Sequence, residues 1–190
     1  MASKNDCPQC GTRGQNGNCP GLLPDQHAVQ CVGDWVPTKH HYIRGYIEAT
    51  YAARAKFIPP VGSGGAAFID LFAGPGKARI RESGEIIDGS PLMAMNHAAA
   101  PFTDILLCDK DPDNTAALGH RTRDDARVQV FEIDSNAAIA QVVAGIPREG
   151  LNIALVDPFA ASALKWATIE ALAHVRRMDM SADRGSVAWR

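Results

Sequence analysis

The sequence predicts an α/β fold, a three-layer sandwich in which helices cover both faces of a mainly parallel sheet. Four apolar runs have the length of strands, and stretches with helical spacing separate them. The apolar runs occupy residues 66–71, 104–108, 127–131 and 151–156, and the helical stretches occupy about 91–99, 112–121, 136–144 and 163–177. The apolar runs are nearly continuous rather than alternating, which is typical of parallel strands that are buried on both faces.

Length and composition fit one globular domain. The chain has 190 residues, of which 46% are hydrophobic and 21% charged, which is enough for a sizeable core. The net charge of -2 excludes a basic surface over the whole protein but leaves a local basic patch open. Because no apolar run approaches the roughly 18 residues of a membrane span and no signal peptide is recognisable, we expect a cytoplasmic protein.

The N-terminal residues 1–34 differ from the rest because they are rich in Gly, Pro, Asn and Cys and lack periodicity. We therefore divide the chain into an arm, 1–34, and a domain, 35–190. Four cysteines of the arm are candidate ligands of a structural zinc ion: Cys7, Cys10, Cys19 and Cys31. The first two have metal-ligand spacing. The second two do not repeat it, which favours the alternative of a flexible arm with reduced thiols.

The domain begins with a helix that is predicted over residues 38–57, with Thr38 as its cap. After the first strand, residues 79–87 predict a hairpin that turns at Ser83-Gly84. Ser90 and Pro91 have the residue types of a helix N-cap and a first helical position. Because only four strands can be read from the sequence, we expect an incomplete sheet that is truncated at its C-terminal end.

The central motif is FIDLFAGPG at residues 68–76, where a strand runs into a turn. The candidate cofactor-binding residues here are Asp70, Phe72, Gly74 and Gly76. The glycines allow close approach of a ligand to the backbone. A dinucleotide-binding loop would have a third glycine and an acid about 20 residues further on, and both are missing. Asp70 suits the ammonium group of S-adenosyl-methionine and would repel a pyrophosphate, so the sequence favours a Rossmann-like site for S-adenosyl-methionine over one for NAD.

Acids also follow the second and third strands. Asp109 is a candidate acceptor for both ribose hydroxyls, with Asp111 as a competitor, and Asp134 is a candidate acceptor for the adenine amino group. The carboxyl ends of parallel strands are where ligands bind in open α/β sheets. The alternative for each of these acids is a plain helix cap.

The fourth strand ends in Asp157, Pro158 and Phe159 (VDPF). This sequence resembles the D/N-P-P-Y/F motif of amino methyltransferases, although it has only one proline. The resemblance implies that the acid and a proline carbonyl accept hydrogen bonds from the target amine, and that the aromatic ring stacks on a flipped base. The alternative is a simple turn after a strand.

Several segments together resemble the three-Cys-motif partner (TcmP) family. They are Trp35 with Lys39 and Tyr46, the loop FIDLFAGPG, Gly89-Ser90-Pro91, Asp109 with Asp111, and Asp157-Pro158-Phe159 followed by Lys165-Trp166. The match covers about residues 33–180. The resemblance implies a class I methyltransferase-like fold and a partner protein that carries a three-cysteine motif.

We therefore predict a methyltransferase-like protein of the TcmP type that uses S-adenosyl-methionine, with an amino group of nucleic acid as the candidate acceptor. Lys39, His40, His41 and Arg44 of the first helix, with Arg79 and Arg81, could meet phosphates; a solvated helix face is the simpler interpretation. Two other functions stay open: a non-catalytic Rossmann-shaped protein that binds the three-Cys-motif partner, and an NAD-linked oxidoreductase.

Overall fold

A computed structural model describes residues 6–7, 11–14, 16–97 and 99–182. The strands are β1 (Asp6–Cys7), β2 (Gly11–Thr12), β3 (Gln30–Val32), β4 (Ala67–Asp70), β5 (Lys77–Ile80), β6 (Ile86–Asp88), β7 (Asp104–Asp109), β8 (Val128–Glu132), β9 (Asn152–Val156) and β10 (Met178–Ala182). The helices are α1 (Val36–Ala49), α2 (Tyr51–Arg54), α3 (Ser90–His97), α4 (Pro112–Thr122), α5 (Ser135–Ala144) and α6 (Trp166–Ala173), with a short 3₁₀ turn at Ala161–Ala163. None of the helices in these ranges has both the length and the apolar character needed to cross a bilayer.

The central sheet has five parallel strands in the order β10-β9-β4-β7-β8. Numbered by their sequence order within this sheet, the strands run 3-2-1-4-5 from β8 to β10, which is the order of the Rossmann-like doubly wound fold. The predicted α/β class is therefore confirmed. The chain builds outward from β4 to β8, then returns across the sheet to β9, so the topological switch point lies between β4 and β9.

Alternate residues of the central strands point to opposite faces, and both faces are buried. On one face Phe68, Ile105 and Ile153 pack in a cluster with residues of α1, α3 and α4. On the other face Ile69 and Ala154 pack with residues of α5 and α6. This arrangement explains the continuous apolar runs of β4, β7 and β9, because no residue of these three strands is exposed.

The sequence predicts four strands and none at residues 178–182. The prediction is wrong there, because the structure has the strand β10. Met178–Ala182 pairs in parallel with Asn152–Val156 over five residues. The sequence MDMSA is interrupted by polar residues, and the strand pairs with β9 as the last member of the described sheet order. A strand with a single neighbour in the sheet carries a weaker apolar pattern than the strands at its centre.

The first helix also differs from its prediction. It begins at Val36 with Trp35 as the residue before it, and no side chain caps it. Thr38 therefore lies inside the first turn instead of capping it, since Pro37 takes an early helical position where no backbone N–H is needed. The helix is interrupted at Thr50, and the short α2 follows.

A second, three-stranded sheet joins the N-terminal region to the glycine-loop region. β3 pairs in parallel with β5, and β5 pairs with β6 as the predicted hairpin, in which Gly84 has φ +77. Arg121 of α4 donates to both carboxylate oxygens of Asp25, at 2.9 and 3.2 Å, and to the carbonyl of Ala28. These contacts place residues 16–33 against the central domain.

One glycine in this scaffold is expected to lower stability. Gly119 is exposed in α4, and a Cβ there would meet no atom within 4 Å. Gly119→Ala is expected to raise the free energy of unfolding by up to about 1 kcal/mol, because Ala has the higher helix propensity. Urea denaturation tests this, with Gly76→Ala as the contrasting change: Gly76 has φ +80 and its Cβ would lie 3.2 Å from Leu118 Cδ2. Equal effects of the two changes would contradict the prediction.

Candidate functional site

Two carboxylates lie at the switch point of the central sheet. Asp70 is the last residue of β4, and Asp157 follows the last residue of β9. The two strands are direct neighbours, with Asp70 in register with Leu155. Ligands of open α/β sheets bind in the crevice at such a point, outside the carboxyl ends of the strands. The structure therefore brings together two acids that are 87 positions apart in the sequence numbering (157 − 70).

Asp70 is completely buried. One carboxylate oxygen accepts a hydrogen bond from the backbone N–H of Phe72 at 3.1 Å, and the other accepts from the Ser90 hydroxyl at 2.6 Å. The pKa of Asp70 is raised to about 7, chiefly by burial and also by the charge of Asp157, while Ser90, Phe72 and the Lys39 ammonium act in the opposite direction. Burial makes the ionised form of this carboxyl unfavourable, and a cationic ligand beside it would stabilise that form.

Ser90 was predicted as a helix N-cap, but in the structure its side chain binds Asp70. It is the first residue of α3, and its hydroxyl donates to Asp70. Gly89 is the residue before the helix, and its carbonyl accepts the hydrogen bond from the N–H of Met93. Ser90 thus belongs to the site, and no local pattern predicts a contact between residues 70 and 90.

Asp157 is paired with Lys39 of α1. The Lys39 ammonium donates to Asp157 Oδ2, and the two side chains are 16% and 30% exposed. The same ammonium lies 5.7 Å from the centre of the Trp35 ring, within the range of a cation–π contact. Lys39 is therefore held between a carboxylate and an aromatic face, close to Asp70.

The glycine loop turns immediately after β4. Gly74 and Gly76 are buried and have φ values of +60 and +80, which residues with a side chain rarely adopt. Phe72 takes part through its backbone N–H, since its ring packs into the core cluster on the α5 and α6 face. The loop has the backbone freedom that the sequence predicted.

Asp109 is already tied to this loop. Its carboxylate accepts from the N–H of Gly74 at 2.9 Å, from the N–H of Asp111 at 2.9 Å and from the Asn114 amide at 3.2 Å. A carboxylate has about four acceptor positions, so Asp109 keeps capacity for fewer ligand hydroxyls than the two that were predicted. Asn114 in turn accepts from the buried Asn18 amide at 2.8 Å, which links the N-terminal region to this acid.

Two of the predicted acids act as helix caps in the structure. Asp111 precedes α4 and accepts from the N–H groups of Asp113 and Asn114, and Asp134 precedes α5 and accepts from the N–H of Asn136. The hydrogen bonds from Asn136 lower the pKa of Asp134. The cap role leaves room for an adenine contact by Asp134, so that assignment stays a prediction. Asp70 and Asp157 cap no helix in the described residues.

Two exposed aromatic rings lie near Asp157, Phe159 through the chain and Trp35 through Lys39. Phe159 is 72% exposed and has the Arg13 guanidinium 5.4 Å from its ring centre. Trp35 is 57% exposed and lies beside the Lys39 ammonium. Pro158, between Asp157 and Phe159, is half-buried. The three residues predicted as catalytic therefore form one corner of the site, with an open aromatic face.

A cleft of about 290 Å³ opens between α1 and β6, lined by Pro37, His40, His41, Arg44, Ile87 and Asp88. Burial lowers the pKa of His40 to about 4, and the charges of Lys39 and Arg44 contribute in the same direction. His40 is therefore neutral at pH 7, and the cleft is lined by both the Arg44 guanidinium and the Asp88 carboxylate. The basic character that the sequence predicted for the start of α1 is weaker than its residue types suggest.

The predicted zinc ligands are only partly covered by the structure. Cys10 and the side chain of Cys7 lie outside the described residues. Cys19 and Cys31 are buried in a small apolar cluster with Leu23 and Val29. Within the described residues no group of three or more His, Cys, Asp or Glu side chains could hold a metal ion. The zinc site stays a prediction.

Comparisons with known proteins find similarity to solved structures. No protein-family model matches the sequence, and no curated protein matches it either. A solved structure named "Putative methyltransferase yhhF from Escherichia coli" is similar with 17% identity and a TM-score of 0.48, over 87% of this chain and 71% of that one. The Rossmann-like assignment rests on the strand order of this chain rather than on that likeness.

Proposed function

We propose that this protein binds S-adenosyl-methionine at the switch point and transfers its methyl group to an amine. The observation that carries the proposal is the placement of Asp70 and Asp157 together at the carboxyl ends of β4 and β9, beside a loop of left-handed glycines. Negative charge beside the loop attracts a ligand that carries an ammonium group. The same charge repels a pyrophosphate, which argues against a dinucleotide.

The buried carboxylate fits the amino-acid part of the cofactor. Asp70 is fully buried, and its raised pKa measures the unfavourable energy of its charge. A bound ammonium group offsets that energy. Gly74 and Gly76 provide a surface without side chains against which the rest of the ligand can lie, Asp109 accepts from a ribose hydroxyl, and Asp134 accepts from adenine. When bound, the cofactor supplies an electrophilic methyl group.

Asp157 acts on the acceptor. A carboxylate at the end of β9 accepts a hydrogen bond from the acceptor amine and fixes the direction of the nitrogen lone pair. This is catalysis by positioning and electrostatics, which needs no metal ion. The carbonyl of Pro158 is a second candidate acceptor for the same amine. Both groups directly follow β9, a fully buried strand of the sheet.

The surroundings of Asp157 favour a planar aromatic acceptor in a nucleic acid. The exposed ring of Phe159, with Arg13 beside it, provides a face on which a base can stack, and Trp35 provides a second ring. Stacking on aromatic and guanidinium groups is the usual way in which unpaired bases are held. We extend the proposal to a TcmP-type protein with a three-Cys-motif partner, on the motifs given in the sequence analysis.

One observation favours a second candidate function. Lys39 already pairs with the Asp157 carboxylate, where the acceptor amine would bind. A Rossmann-shaped partner protein that binds the cofactor without turning it over would show such a closed site. Cofactor binding without methyl transfer to any acceptor pool would support this second function.

The proposal is tested by calorimetric titration of the purified chain with S-adenosyl-homocysteine. Saturable binding is expected in the wild type. Asp109→Asn is expected to weaken it by roughly tenfold, since a hydrogen bond to a charged group contributes about 1.5–3 kcal/mol and Asn keeps one acceptor. Asp113→Asn is the matched control, because Asp113 is exposed in the first turn of α4, the helix that follows Asp109 in the chain.

Two results would overturn the cofactor assignment. One is no binding of S-adenosyl-homocysteine by a wild-type chain whose circular dichroism shows that it is folded. The other is tighter binding of NAD than of S-adenosyl-homocysteine, which would restore the oxidoreductase alternative. Equal weakening by Asp109→Asn and Asp113→Asn would remove Asp109 from the site while leaving the cofactor in place.

A further inference from the structure

The Lys39 side chain occupies the position that the proposed function gives to the acceptor amine. Its ammonium donates to Asp157 Oδ2, the carboxylate at the end of β9. The Trp35 ring lies 5.7 Å away. An acceptor amine needs these same two features, a carboxylate that accepts its hydrogen bond and an aromatic face beside it.

The position of Lys39 is fixed by its helix and is not a chance surface contact. Lys39 lies in the first turn of α1, its side chain is only 16% exposed, and its partner is 118 residues away in the sequence. The charge of Lys39 also acts on Asp70, the acid at the end of the neighbouring strand. The amine is therefore near both acids of the switch point.

We propose that Lys39 is a methyl-acceptor site, modified within its own molecule. The inference rests on the proposed function, because the methyl group comes from S-adenosyl-methionine. The Lys39 ammonium first gives one proton to the Asp157 carboxylate. The nitrogen lone pair then forms the new N–C bond while the S–C bond of the sulfonium breaks, with its electron pair left on a neutral thioether. Asp157 passes the proton to water.

Methylation of Lys39 is expected to weaken its ion pair with Asp157. A methylated ammonium keeps its charge and loses one of its three N–H donors, and it is larger. The contact with the Trp35 ring is kept, because cation–π attraction does not need an N–H group. Modification of Lys39 is thus expected to loosen the ion pair and to leave Asp157 open to another amine.

The test uses the full-length purified chain and a methyl donor with a deuterated methyl group, so that new methylation is separated from any acquired in the cell. Peptide mass spectrometry is expected to find one deuterated methyl group on Lys39. Lys39→Arg should abolish the label while circular dichroism shows that the variant is folded. Lys56→Arg, at an exposed lysine beyond α2, should leave the label unchanged.

A second readout needs no cofactor. Acylation of the lysines by a neutral reagent is expected to be at least severalfold slower at Lys39 than at Lys56, and Asp157→Asn should bring the two rates together. Binding of S-adenosyl-homocysteine without label on Lys39 would overturn this inference and leave the proposed function standing. Label that persists in Lys39→Arg, or equal acylation of the two lysines, would overturn it as well. Absence of binding would overturn both.

Discussion

Replacing Asp70 with asparagine is expected to weaken the binding of S-adenosyl-homocysteine by roughly ten- to a hundredfold at pH 8, since a hydrogen bond between charged groups contributes about 1.5–3 kcal/mol. The change removes the buried charge at the end of β4 and little else. Asparagine has the shape of a protonated aspartate, so it can accept from the Phe72 N–H and donate to the Ser90 oxygen.

The same residue gives the binding a defined pH dependence. The pKa of Asp70 is raised to about 7, chiefly by burial, so the carboxyl is ionised at pH 8 and protonated at pH 6. A ligand ammonium prefers the ionised form. The affinity of the wild type is therefore expected to fall as the pH is lowered through 7, by up to about tenfold for each pH unit below it. The affinity of Asp70→Asn should be nearly constant over this range.

The free energy of unfolding of the wild type is expected to rise as the pH is lowered through 7, whereas the affinity for the ligand falls. A carboxyl whose folded pKa is raised binds its proton more tightly when folded than when unfolded. Its favourable contribution is complete below the unfolded value of about 3.9 and is lost as the pH rises through about 7. At pH 8 the variant Asp70→Asn should therefore be more stable than the wild type while it binds more weakly.

The opposite effects of Asp70→Asn on affinity and on stability provide the control for the experiment. Titration calorimetry from pH 6 to pH 8 gives the affinities, and urea denaturation at the same pH values gives the free energies of unfolding. Weak binding together with lower stability at pH 8 would mean that the change has damaged the fold. Affinity that is independent of pH in the wild type would show that the ligand does not contact Asp70.

The parallel sheet could be predicted from the sequence because its inner strands are buried on both faces. The runs at 104–108 and 151–156 were placed within one residue at each end of β7 and β9. β10 could not be predicted in the same way. Its residues Asp179 and Ser181 break the apolar run, and only pairing with β9 identifies it as a strand.

The site was predictable as a set of strand-end acids, but their roles were not. Asp111 and Asp134 cap helices, whereas Asp70 and Asp157 meet at the switch point. All four have the same local pattern of an acid after an apolar run. The difference lies in the strand order, which places β9 beside β4 and depends on contacts between distant parts of the chain. The pairing of Lys39 with Asp157 depends on the same order.

Arg54 is the clearest residue that the sequence could not reveal. It lies within the predicted first helix, where an arginine is ordinarily exposed, yet it is completely buried. Its guanidinium donates to the carbonyl of Ala100 at 3.1 Å, to the carbonyl of Ile47 at 2.6 Å and to the Thr50 hydroxyl. Its Cζ atom lies 4.4 Å from the centre of the Phe102 ring. Arg54 thereby joins α1 and α2 to the segment before β7.

Arg54→Ala is expected to lower the free energy of unfolding by about 3–5 kcal/mol. The change leaves a cavity against Phe102, and truncation of a large buried side chain costs about 2–5 kcal/mol. It also leaves the buried carbonyls of Ile47 and Ala100 without this donor, at about 1–3 kcal/mol for each group that stays unsatisfied. Relief of the buried charge offsets part of this loss, since burial lowers the pKa of Arg54 and so disfavours its charged form.

Arg54→Met separates the two contributions. Methionine fills much of the same volume without charge or donors, so only the lost hydrogen bonds remain, and relief of the buried charge opposes them. We expect Arg54→Met to cost less than half as much as Arg54→Ala in urea denaturation, and Arg123→Ala, at a side chain that is 63% exposed, to stay within about 0.5 kcal/mol of the wild type. If Met costs as much as Ala, the hydrogen bonds of the guanidinium outweigh its packing. If Ala costs no more than the exposed control, the guanidinium does not join these three segments.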